Sequence, residues 1–288
     1  MTLLLVGYGL VGAGLVGVLI VPRGRLALFA LFVGGGALLS GLAALRVLAG
    51  GATLTGSTPS LLALSGASLR LDTLGAYFEL VVSLVALASS VYLAGYARGR
   101  LASPGALGVL GLFVLALLVV PASGDVVSFL YAWETMAVTS LILVALEVER
   151  ASARRAALWY GALTQGGAAL LVIGLLEADH RFGTGSFAHW GTPVAGASSL
   201  VVLLASSLGF LSKVGLVPLH VWLPRAHPEA PTPVSALMSG AMTALGLYGF
   251  LRVDVTYFAG VDSVFWTTVS VLAALGAIYA AIHAASAH

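Results

Sequence analysis

The chain has 288 residues, 60% hydrophobic and 8% charged, with a mean hydropathy of +1.07 and a formal net charge of +2. Soluble domains average about 45–50% apolar and about 25% charged residues, so the composition excludes a water-soluble domain and gives an all-α, polytopic bundle of membrane helices. There is no cysteine, which removes disulfides, thiolate chemistry, iron–sulfur ligation and cysteine-based zinc sites, and the small charge gives no reason to expect a nucleic-acid partner.

A spanning helix needs about 20 mostly apolar residues. The first such segment, 2–21, is followed by Arg23 and Arg25 rather than preceded by a basic region. It therefore reads as a first span and not as a cleaved signal peptide. The second, 26–48, carries Arg46 inside it. Residues 50–71, "GGATLTGSTPSLLALSGASLRL", mix short apolar pieces with Gly, Ser and Pro, which predicts an extended loop or hairpin lying over one face. Asp72 stands at the start of the third span, 73–96, as a helix N-cap. Glu79, in the same span, is a second candidate buried acid. Arg46 would either pair with it or snorkel to the interface.

Spans follow at 104–121, 125–147 and 155–177. Glu134 lies nine residues from Asp125 and twelve from Leu146, near mid-helix at about 1.5 Å per residue. An ionised side chain at that depth costs about 2.5–3.5 kcal/mol on insertion scales, so Glu134 must face protein, water or a partner. Gln165 and Thr164 fall mid-span in "WYGALTQGGAALLV", where glycines permit close helix approach and polar side chains bridge helices. A shorter loop, 179–194, precedes a long, proline-interrupted seventh span at 196–223.

The only lysine, Lys213, stands inside that span, in "FLSKVGLVPLHVWLPRAHPEAPTPVSALM". Pro218 cannot donate to the carbonyl four residues before it, which predicts a helix break beside Lys213. Such breaks are tolerated at membrane depth where backbone is buried in protein or lines a cavity. Glu134 is the natural partner of this buried cation. His220 either passes protons, since histidine titrates near neutral pH, or packs; His227 belongs to the same polar cluster with Arg225 and Glu229. Pro224, Pro228, Pro231 and Pro233 predict a turn rather than a regular helix through that cluster. The two histidines have no carboxylate at a metal-ligand spacing, and no cofactor or metal site is expected.

The last two spans are 233–252 and 263–284, and the sequence stops at His288 without a polar tail, as a truncated or split chain would. With the N-terminus outside, Arg23, Arg25, Arg98, Arg100, Arg150, Arg154, Arg155 and Arg225 fall at inner ends, and only Arg70, Arg181 and Arg252 outside. The positive-inside rule thus favours an outside N-terminus.

The run "SKVGLVPLHVWLPRAHPEAPTPVSALMSG…LGLYGFLR" closely resembles the antiporter-like membrane subunits of respiratory complex I, above all the hydrogenase-4 component B and formate hydrogenlyase branch. Multi-subunit cation/proton antiporters share this core. "LDTLGAYFELVVSLVALASSVYLAGYARG", "FLYAWETMAVTSLILVALE" and "GAIYAAIHAASAH" extend the likeness from about residue 70 onward. The resemblance implies two inverted five-helix repeats, each with a broken helix. It divides this chain into N-terminal helices and loop (1–72), a third helix (73–103), a first repeat (104–254) and a truncated second one (255–288).

It also implies a proton pathway through Glu134, Lys213 and His220, with Gln165, Glu79 and His227 secondary and Pro218 at the break. Many members carry a lysine or histidine on the eighth helix, where this sequence has Ala244. The implied function is proton (or sodium) translocation in a redox-driven complex of the NADH:quinone oxidoreductase or hydrogenase type, with the redox chemistry in partner subunits. The implied partners are other membrane and peripheral subunits and the lipid bilayer, and the implied location is a prokaryotic inner membrane. The alternatives are a non-conducting membrane anchor and one half of a sodium/proton antiporter.

Overall fold

A computed structural model describes residues 1–57, 68–191 and 196–286. Among them nine helical spans are long and apolar enough to cross a bilayer. They are α1 (Thr2–Ile20), α2 (Arg25–Leu48), α3 (Thr73–Tyr96), α4 (Pro104–Ala122), α5 (Val126–Glu147), α6 (Ala151–Phe182), α7 (Ala197–Glu229), α8 (Thr232–Phe258) and α9 (Ser263–Ser286). Helices satisfy their own backbone groups, which lipid cannot do. The protein is an integral membrane protein, as its composition requires.

Between α2 and α3, strands β1 (Leu54–Ser57) and β2 (Ser68–Leu71) pair antiparallel with Leu54 opposite Leu71 and Ser57 opposite Ser68. The tip of the expected hairpin, 58–67, lies outside the described residues. Its base is tied down by Asp125, the N-cap of α5. That carboxylate accepts from the Ser128 amide at 2.8 Å and from the Ser68 amide at 2.9 Å. The hairpin thus covers the end of the bundle where α4 finishes and α5 starts.

Asp72 caps α3 by accepting from the Gly75 amide at 3.0 Å, and it also receives the Arg252 guanidinium of α8 in a two-pronged pair at 2.5 and 2.7 Å. Arg252 donates further to the Tyr248 hydroxyl at 3.2 Å. Burial pushes the Asp72 carboxyl up, but Arg252 and the Gly75 amide outweigh it and hold the group below its ordinary value of 3.8. Asp72→Asn is therefore expected to destabilise the detergent-solubilised protein by about 3 kcal/mol, read as a lower melting temperature. A carboxyl lowered by folding stabilises fully above its unfolded value, and that stability is lost as pH falls through the folded one. The gap between wild type and variant should close on strong acidification.

Helices α6 and α7 meet through glycine. A Cβ on Gly209 would lie 2.7 Å from the Gly167 carbonyl oxygen and 2.7 Å from the Leu171 Cβ. The two backbones approach as small residues in membrane helices allow, and this places Lys213, one turn beyond Gly209, against α6.

The interruption of α7 falls where the sequence predicts it, with a different residue closing the helix. The first half, Ala197–Val214, ends on Gly215 in the left-handed region at φ 81°, a conformation glycine adopts without a Cβ penalty. Pro218 sits in the connection that follows, before a short turn at Leu219–Trp222. The expected turn through the proline cluster is instead a two-turn helix, Leu223–Glu229. Pro224 occupies its first turn, where backbone N–H groups have no intrahelical acceptor and the missing donor costs little.

Candidate functional site

Glu134 lies in α5, half-buried among Trp133, Met136 and Ala137, which are themselves inside the bundle. Lys213 closes the first half of α7 and is 1% exposed. Each side chain acts electrostatically on the other. No ion pair within 4.0 Å joins them among the described residues.

The hydrogen bond of Lys213 goes elsewhere. Its Nζ donates to the Tyr160 hydroxyl of α6 at 3.4 Å and stands 5.3 Å from the centre of that ring. Tyr160 is fully buried, and its hydroxyl lies 2.6 Å from Ser140 Oγ on α5. Ser140 in turn donates to the Ala137 carbonyl at 2.9 Å. The Tyr160 hydroxyl can donate either to Ser140, which then donates to Ala137, or to the Met242 sulfur while accepting from Ser140. Met242 of α8 closes the site with its sulfur 3.4 Å from the Tyr160 hydroxyl.

The broken half of α7 folds back onto this cluster. Trp222 Nε1 donates to the Ser212 carbonyl at 2.8 Å, satisfying one of the carbonyls left over at a helix C-terminus. Its ring packs on Tyr160 with centroids 5.0 Å apart. Toward the hairpin, Phe210 contacts Trp133 at 5.4 Å and Phe129 at 6.0 Å. These rings form an apolar wall one turn from Lys213. The site is a buried lysine hydrogen-bonded to a pair of hydroxyls, with a half-buried carboxyl on α5 that acts on it electrostatically.

Tyr160→Phe is expected to remove the hydrogen-bond partner that Lys213 has among the described residues while keeping the ring. Losing such a bond to a charged group costs about 1.5–3 kcal/mol. The detergent-solubilised variant should therefore melt at a lower temperature than wild type. An unchanged melting temperature would reduce Tyr160 to a packing residue.

The other predicted residues scatter. His220 sits half-buried on the connecting turn, with its ring 5.6 Å from Tyr279 of α9 and a buried Nδ1 that has no hydrogen-bond partner among the described residues. No hydrogen bond joins it to Lys213 among the described residues. His227 binds Ser235 Oγ at 2.9 Å and stacks on Trp222 at 6.1 Å. Gln165 is half-buried with an unpartnered amide oxygen.

Glu79 is fully buried in a different layer, between α1 and α3. Its Oε1 is 3.4 Å from the Tyr8 hydroxyl, which also donates to the Leu118 carbonyl at 2.9 Å. Arg46 is exposed and forms no ion pair with Glu79 among the described residues.

Tyr160, Ser140 and Trp222 were not singled out by sequence, since a buried aromatic or serine is more often core. The available signal was Tyr160 four residues before Thr164 on a glycine-rich face.

Residues 123–287, more than half the chain, match the family described as NADH:quinone oxidoreductase/Mrp antiporter, TM. The chain belongs to that family. Among its relatives, an uncharacterized protein of Mycobacterium tuberculosis is 48% identical over 194 residues, covering 67% of this chain and 30% of that protein. Hydrogenase-4 component B of Escherichia coli is 35% identical over 219 residues, 74% of this chain and 32% of that one. The chain thus spans about a third of the length of these relatives. A chain of the archaeal membrane-bound sulfane sulfur reductase shares the fold at TM-score 0.76 and 19% identity, over 90% of this chain and 54% of that one. A chain of the Mrp complex from Dietzia does so at TM-score 0.73 and 22% identity, over 90% and 50%.

Proposed function

We propose that this chain is the proton-translocating part of an antiporter-like membrane subunit in a redox-driven complex of the NADH:quinone oxidoreductase or hydrogenase type. Lys213 is the proton-holding group and Glu134 the opposing charge that sets how firmly it holds. The observation that carries this reading is a lysine 1% exposed within a membrane span, coupled to a carboxyl on α5 and hydrogen-bonded through Tyr160 to Ser140. Structural anchoring alone gives no reason for such a costly group at that depth. Widening the Glu134–Lys213 separation from about 4 to about 7 Å would change their interaction by about 1.8 kcal/mol at an effective dielectric of about 20. That is enough to bias where a proton resides and too little to drive it, so the drive comes from partner subunits.

In this reading the hairpin and the N-terminus face outside and the arginine-rich ends face the interior of a prokaryotic cell. Residues 104–254 form one repeat, with Glu134 and Lys213 at its centre. His220, His227, Gln165 and Glu79 are candidates for extending the path through water. The test is donor-driven proton uptake by sealed inverted vesicles carrying the assembled complex, with Lys213 and Glu134 substituted. Flux that follows added sodium rather than pH would instead mark half of a sodium/proton antiporter.

A further inference from the structure

The eighth span runs to Phe258, six residues past the predicted end at 252. That extension brings inside the bundle an acid the proposed pathway does not use. Asp254 is 0% exposed and lies in a π-helical turn, Phe250–Val255, a local geometry frequent at functional sites. Its Oδ1 is 2.5 Å from Ser206 Oγ and its Oδ2 is 2.8 Å from Ser207 Oγ, both on α7 and both buried. No cation pairs with it among the described residues. Arg252, two residues earlier, is committed to Asp72 and Tyr248. Lys213, seven residues along α7 from Ser206, is bonded to Tyr160 across the Phe210 wall.

The hydrogens can be placed with the acid neutral. Ser206 Oγ has one hydrogen and two close acceptors, Asp254 Oδ1 and the Val202 carbonyl at 2.7 Å. With that hydrogen on Val202, the short contact to Oδ1 requires a proton on the acid, donated to Ser206, while Ser207 donates to Oδ2. Every group is then satisfied and no charge is buried, as an apolar surrounding demands.

A second arrangement is equally complete. If the O–H bond of Asp254 breaks and its proton passes to a water molecule, Ser206 turns its hydrogen from Val202 to Oδ1. The carboxylate then keeps two donors, and the Val202 carbonyl keeps its place as an intrahelical acceptor. The two states differ by one proton and one hydroxyl rotation.

We propose that Asp254 is a second proton-holding group of the pathway, carried as the neutral acid between Ser206 and Ser207 on the hairpin side of Lys213. Its use in transport rests on the function proposed above; its protonation state does not. Asparagine reproduces the neutral acid's hydrogen bonds, with its amide donating to Ser206 and its oxygen accepting from Ser207, but it cannot release a proton. Infrared difference spectra of the complex in its own membranes at neutral pH should lose one protonated-carboxyl band in Asp254→Asn. That band should survive in Lys213→Ala and move on exchange into heavy water. Donor-driven proton uptake by the assembled Asp254→Asn complex should fall by at least about tenfold.

A spectrum that loses no such band, a band abolished by sodium, or full uptake in Asp254→Asn while Lys213→Ala is inactive would each overturn the assignment. Full uptake in Lys213→Ala with the band present would overturn the proposed function and leave the neutral acid standing. If Asp254→Asn fails to assemble, Ser207→Ala removes one donor and keeps the acid. Its carboxyl band must then shift, and an unmoved band counts against the site.

Discussion

Lys213→Ala is expected to abolish donor-driven proton uptake, by at least about a hundredfold, while the complex assembles to wild-type levels. The side chain is buried and, among the described residues, its hydrogen bond goes to Tyr160, which keeps Ser140 as a partner after the substitution. Removing the ammonium group also removes a charge that is costly at membrane depth, so the fold should tolerate the loss. Blue-native gels would report assembly and a pH-sensitive dye in inverted vesicles would report uptake. Lys213→Arg sharpens the test, because a guanidinium keeps the positive charge opposite Glu134 but cannot give up its proton in a protein. It should be as inactive as alanine. Uptake in Lys213→Arg near wild type would mean that the lysine supplies only a fixed field. Glu134→Gln should slow uptake by about tenfold or more without stopping assembly, since Glu134 is half-buried and no ion pair depends on it.

The second large effect is steric. In Gly209→Val the new side chain would begin 2.7 Å from the Gly167 carbonyl and 2.7 Å from Leu171, both on the neighbouring helix. Backbone cannot swing aside as a side-chain tip does, so α6 and α7 must separate. Overpacking costs about 1–3 kcal/mol for modest insertions, and a branched residue against a carbonyl belongs at or above the top of that range. The Lys213–Tyr160 hydrogen bond spans the same interface one turn away and should be lost with it. Lower melting temperature and lower uptake should therefore appear together. Gly166→Ala is the control, since a Cβ there meets nothing within 4 Å. Equal stability of Gly209→Val and wild type would mean that the close approach does not hold the two helices together.

The sequence was most legible where the governing physics is local. The spans of α1 to α5 agree within a residue or two with the apolar segments, because hydrophobic length is a property of the segment alone. The cap at Asp72 was equally local, binding an amide three residues on. The end of α8 was missed because Arg252 and Asp254 interrupt the apolar run, whereas in the fold Asp72 and two serines satisfy them and the helix continues. The proline cluster was misjudged because proline's penalty depends on its position in a helix, and Pro224 falls in the first turn.

By itself the sequence determined that this is a bundle of membrane helices, and that Glu134 and Lys213 are ionisable groups placed inside apolar spans. Only the tertiary structure decided what those groups touch. The rotational phase and depth of one helix against another depend on every residue between them, including the glycines that set the α6–α7 distance. So Tyr160 and Ser140 at the lysine, and Ser206 and Ser207 at Asp254, become partners only when the helices pack.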